Sequence, residues 1–185
     1  MTELTIQEIE TIVKRDENRI MEAKKTTGEL TAGMQSGCAF LNTEGGWLFF
    51  GVHPTTLKIL GQDVADQTRQ DIANSFRKFS PAIDLSAQYI DVPGKPGKFV
   101  IAIYFKAPKA FEAPYTFDGR PWYKVENTTA QMPREMLRKV WLQDSCDTVA
   151  SIDLESNWSP VSFCLFAAQK KSLYSQKRET NPKSA

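Results

Sequence analysis

The chain has 185 residues, of which 41% are apolar and 11% aromatic, enough for one domain with a proper core and room for a tail. Its formal net charge is +1, so no global attraction to a polyanion exists, and any nucleic-acid binding must come from a local basic face. No apolar run is long enough to span a bilayer, and the first residues lack the basic-then-apolar pattern of a secretory signal, so a cytoplasmic protein without membrane contact is expected.

Thr5 and Glu8 have the spacing of a capping box, and Ile6, Ile9 and Val13 fall on one face of the short helix that follows. Residues 19–25 predict a strand, with Ile20, Glu22 and Lys24 on one face and Met21 and Ala23 on the other. Residues 29–42 predict a helix in which Gly33 and Gly37, four apart, allow close packing on a sheet. The helix is stopped at Asn42-Thr43-Glu44 and turned by Gly45-Gly46. The wholly apolar run from Trp47 to Phe50 then reads as a buried central strand, closed by Gly51.

After a turn at His53-Pro54, residues 57–60 predict a brief strand, and residues 66–79 a helix with Ile72, Phe76 and Phe79 inward and Arg69, Arg77 and Lys78 outward. Residues 85–92 and 98–105 alternate and are joined by the turn-rich segment 93–97. A second hairpin joins residues 111–117 to 122–125 around Asp118-Gly119. Pro133 opens a fourth helix with Met136, Leu137, Val140 and Trp141 inward. The sum is an α+β fold, with about four helices packed on a largely antiparallel sheet. The expected divisions are a domain over residues 1–145, an extension over 146–168 and a mobile basic tail over 169–185.

Three segments carry the functional reading. They are Glu17…Glu22-Ala23-Lys24, then Ala39-Phe40-Leu41-Asn42-Thr43-Glu44-Gly45-Gly46 with Gly51-Val52, then Tyr123-Lys124-Val125-Glu126-Asn127-Thr128-Thr129. In this order they resemble the Schlafen AlbA-type domain, also called the divergent AAA-type DNA-binding domain, over residues 5–143; the chain reads as a small bacterial member. The resemblance implies a DNA-binding role, of the kind found in transcriptional regulators. In nuclease members of the group it implies a divalent-metal phosphodiesterase site, which maps here onto Glu17 and Glu22 as ligands of Mg²⁺ or Mn²⁺ and Lys24 as a partner for the scissile phosphate. An acid is usual near the Gly-Val that ends the central strand, and His53-Pro54 stands there instead; Asp63 is the nearest acid downstream. His53, the one histidine, reads more simply as a turn residue. ATP is not supported, because no Gly-x-x-x-x-Gly-Lys-Ser/Thr loop occurs.

Asn42 and Thr43 beside two glycines read equally as phosphate contacts or as a helix cap. Arg120, Trp122 and Lys124 alternate on one strand face; with Tyr123 and Val125 in the core they would form an outer footprint for a phosphate backbone and stacked bases, and the equal alternative is a strand with Trp122 packed in the core and Arg120 and Lys124 solvated. Lys24 and Lys25 extend the basic candidates. Cys38, Cys146 and Cys164 lie far apart, outside any metal-ligand spacing, and read as free thiols. The leading function is a regulatory nucleic-acid-binding module, for DNA or RNA, making mainly backbone contacts. The alternatives are a metal-dependent endonuclease using Glu17 and Glu22, and an interaction or homo-oligomerisation module.

Overall fold

The computed structural model describes residues 4–15, 20–108 and 114–137, and the named elements lie within the compact unit Met1–Arg134. Helix α1 (Ile6–Arg15) begins with the expected capping box. Thr5 N–H donates to Glu8 Oε2 at 2.8 Å, and Glu8 N–H donates to Thr5 Oγ1 at 3.3 Å, which satisfies two amide groups that have no partner inside the helix. Ile9 and Val13, one turn apart, are buried against the sheet; each contributes about 1.5–3 kcal/mol.

Strand β1 (Met21–Lys24) buries Met21 and Ala23 and leaves Glu22 and Lys24 half-buried on the opposite face. A 3-10 turn, Thr27–Glu29, leads into helix α2 (Leu30–Leu41), which returns the chain to β2 (Gly46–Phe50), parallel to β1. Strands β4 (Ala87–Asp91) and β5 (Phe99–Phe105) complete the first sheet antiparallel, in the order β1-β2-β5-β4. β2 is an inner strand, and both faces are covered, as its unbroken apolar run requires. Leu48 and Phe50 join the core around α2, while Phe49 joins the core around Ile9 and Val13.

The second sheet is antiparallel throughout: β3 (Phe79–Ser80), β6 (Thr116–Phe117), β7 (Arg120–Val125) and β8 (Thr128–Gln131), in the order β3-β6-β7-β8. Helix α2 lies between the two sheets. Toward the first sheet, a Cβ on Gly33 would sit 2.8 Å from Phe50 Cζ, and one on Gly37 would overlap the Phe105 ring. Toward the second sheet, Ser36 Oγ lies 3.0 Å from Thr129 Oγ1. The two glycines therefore serve the close approach their spacing implied, and the α+β, largely antiparallel architecture is the expected one. No described helix is long and apolar enough to cross a membrane.

Several local expectations are corrected. Helix α3 (Asp66–Phe76) ends before Phe79, which instead pairs with Phe117 in β3, their ring centroids 5.0 Å apart. Burial in a sheet outweighs helical continuation there. Residues 57–60 form no strand but a single bridge, Val52 to Ile59. Leu57, at φ 55°, donates its N–H to His53 O, which curls the segment into a turn. Val125 is 45% exposed rather than core, and Met136 is exposed rather than inward. Residues 134–137 are helical; Val140, Trp141 and the extension and tail over 146–185 fall outside the described residues.

Candidate functional site

Where α2 ends, Asn42 is the C-terminal cap, and its backbone N–H reaches back to Cys38 O and Ala39 O, both at 3.2 Å. Its side chain crosses to the second sheet. Nδ2 donates to Tyr115 O and Trp122 O, both at 2.8 Å, and Oδ1 accepts from Tyr115 N–H at 2.7 Å. Both N–H donors of the amide and one acceptor position of its oxygen are thereby used. Thr43 Oγ1 donates to Ala39 O at 2.8 Å. Gly45, at φ 79°, closes the helix through its N–H to Phe40 O; a Cβ there would lie 2.6 Å from Ala107 N. Of the two readings of Asn42-Thr43, the structure realises the cap, and adds a bridge between α2 and the second sheet.

The polar face of β1 meets β7. Lys24 Nζ lies 3.0 Å from Glu22 Oε1, and Lys124 Nζ lies 2.9 Å from Glu22 Oε2. The side chains are 17%, 21% and 4% exposed for Lys24, Glu22 and Lys124. The Lys124 ammonium also lies 5.0 Å from the centre of the Phe40 ring of α2, a cation–π contact. Burial pushes the Glu22 carboxyl upward, but the charge and hydrogen bonds of Lys124, together with those of Lys24, outweigh it and hold the group below its ordinary value. Two lysines against one glutamate give the triad a formal net charge of +1.

Of the two readings of β7, Trp122 follows the one that packs it on the core, while Lys124 is covered rather than solvated. Arg120, Trp122 and Lys124 do share one face, but it is the face turned to α2. Trp122 is half-buried against the core, and its indole N–H is buried without a hydrogen-bond partner among the described residues. Alternation identified the set; only the position of α2 decides which side is covered. Arg120 is exposed beside the Asp118-Gly119 turn, opposite Phe117, and Lys78 Nζ lies 6.0 Å from the centre of that same ring. Lys78 was legible only as an outward residue of a helix, and its place beside the Phe117 ring comes from β3 pairing with β6. Lys25 is exposed at the end of β1.

His53 Nδ1 accepts from the N–H groups of Thr55 and Thr56, both at 3.2 Å, so the histidine caps its own turn. Asp63 pairs with Lys98 at 2.7 Å and does not join Glu22. Among the described residues no three His, Cys, Asp or Glu side chains converge as a metal site, and Glu17 lies outside them. The one described carboxylate of the expected Mg²⁺ or Mn²⁺ pair is held by two ammonium groups, a donor set that does not fit a divalent cation. Cys38 is buried with Sγ 3.3 Å from Tyr115 O, and burial pushes its thiol up to about 12. It is inert at neutral pH.

A family model described as Schlafen, AlbA_2 matches residues 17–133, which span β1, the α2–β2 junction and β7. The chain belongs to the Schlafen AlbA_2 family. Among solved structures, the N-terminal domain of a protein named as ATP-dependent DNA helicase RecG-related, from Nitrosomonas europaea, is similar at 20% identity with a TM-score of 0.51. The match covers 72% of this chain and 94% of that one, and it supports the shared fold. The DIP2311 protein from Corynebacterium diphtheriae matches at 20% identity and a TM-score of 0.47, over 75% of this chain and 27% of that one. No curated protein matches in a sequence comparison. Within this Schlafen AlbA_2 chain, the first and third motifs meet as the Lys24–Glu22–Lys124 triad, and the middle motif builds the Asn42 bridge.

Proposed function

We propose that this Schlafen AlbA_2 domain is a regulatory nucleic-acid-binding module that engages the phosphate backbone and does not depend on base sequence. The observation that carries this reading is the triad. Two lysines share one glutamate, so the site presents net positive charge at the end of the first sheet, with Lys25 exposed next along the chain. A phosphate complements that charge; a divalent cation would have to displace both ammonium groups. Family membership and the DNA-helicase name of the RecG-related neighbour support the same class of ligand. Arg120 and Lys78 supply a second pair of exposed cations for a backbone contact.

The test is fluorescence anisotropy with labelled single-stranded DNA, duplex DNA and RNA over a salt series. Affinity should fall by about 0.7–0.9 log units per phosphate contact for each log unit of salt. Replacing Lys25 and Arg120 together by Ala should flatten that slope by about two contacts' worth. Absence of binding to all three ligands at low salt would overturn the reading in favour of a protein-interaction module.

A further inference from the structure

Among the described residues β4 is an outer strand of the first sheet, and its backbone pattern specifies what it can pair with. Phe99 exchanges both of its backbone hydrogen bonds with Gln62, on the β2 side of β5, and Val92 N–H donates to Lys98 O at 2.9 Å. Alternation along an antiparallel pair then turns the N–H and C=O groups of Gln88, Ile90 and Val92 toward β5. Those of Ala87, Tyr89 and Asp91 point outward. Residues 87–91 contain no proline, no lysine and no break in register; Leu4 N–H donates to Gln88 Oε1 at 2.8 Å, and Asp91 is the one charge on the strand. A groove of about 570 Å³ runs along it, flanked by Leu4 on one side and Arg69 on the other.

The side chains make the edge self-complementary. Tyr89 and Asp91 share a face by the two-residue strand period. The Arg69 guanidinium lies 4.0 Å from the centre of the Tyr89 ring, and Asp91 is exposed. Consider a second strand of the same sequence laid antiparallel with Tyr89 on the two-fold axis. Ala87 then faces the other copy's Asp91, Tyr89 faces Tyr89, and every outward backbone group on both strands finds a partner. Each Asp91 comes within one diagonal step of the Tyr89 over which the other copy's Arg69 is stacked, so opposite charges meet on both sides of the axis. A shift of one residue would lose both the hydrogen bonds and the charge match.

We propose that a second copy of this chain docks on β4, pairing antiparallel about Tyr89 to continue the first sheet from one protomer into the next. Sedimentation velocity of the full chain across a wide concentration range should show a reversible monomer–dimer equilibrium. Arg69→Asp and Asp91→Arg should each weaken dimerisation roughly tenfold, as like charges replace opposite ones at symmetric positions, and the double variant should restore it. Tyr89→Pro should abolish the dimer, because it removes an outward N–H while sparing the bonds to β5; far-UV circular dichroism checks that each variant remains folded. A chain that stays monomeric at every concentration would overturn the proposal. So would a dimer indifferent to the charge reversals, or a monomer that captures an unrelated extended peptide at this edge.

Discussion

Asn42 and Glu22 both bridge to the second sheet, and they differ in what they touch. Asn42 bonds chiefly backbone groups, two carbonyls and one amide, with a longer Nδ2 contact to Cys38 Sγ at 3.8 Å. Glu22 bonds two side-chain ammonium groups, of which Lys24 is 17% exposed and Lys124 only 4%. The first is architecture. The second is a charge arrangement, and under the proposed function it is the one that faces a phosphate. A polar residue in a family motif is therefore not by itself a ligand contact; the chemistry of its partners separates the roles.

The largest expected effect lies on the architectural side. Asn42→Asp would set a carboxylate against the carbonyls of Tyr115 and Trp122, and should cost about 3–5 kcal/mol of stability, read from the urea midpoint. Gly37→Ala is next. Its methyl would overlap the ring of Phe105, which is itself fully buried and cannot swing away, so about 1–3 kcal/mol should be lost.

The charged side should respond to pH where Asn42 does not. In the folded state the Glu22 carboxyl is held below its ordinary value of 4.5. Its contribution is complete above that value and disappears as pH falls through the lower folded one. The difference in urea midpoint between the parent chain and Glu22→Gln should therefore be largest at neutral pH and close in acid. The smallest effect on stability belongs to Lys25→Ala with Arg120→Ala. Both side chains are exposed, so the melting curve should move by no more than about 0.5 kcal/mol per site while nucleic-acid affinity falls.

How much of this was legible in the sequence follows from the range of each interaction. The capping box at Thr5 and Glu8, the apolar β2 and the close-packing glycines are local patterns, and each has its expected form. Strand β3 is two residues long and leaves no periodic trace, so Phe79 read as the end of a helix. Asn42 finds its partners 73 and 80 residues away, and Glu22 meets Lys124 across 102. No local spacing encodes those meetings. Alternation put Arg120, Trp122 and Lys124 together correctly but could not say which face α2 would cover. The resemblance to the family selected Glu22 and Lys24 and the pattern of β7 selected Lys124, and the fold joins them.

The most direct measurement is the affinity of Glu22→Gln for a short single-stranded DNA at low salt without divalent metal, alongside the parent chain. Removing one negative charge releases Lys24 and Lys124 from their shared carboxylate. The expected result is tighter binding with a steeper salt dependence, in a variant that still melts cooperatively. Unchanged or weaker binding by the folded variant would contradict the assignment of the triad as the phosphate-facing site.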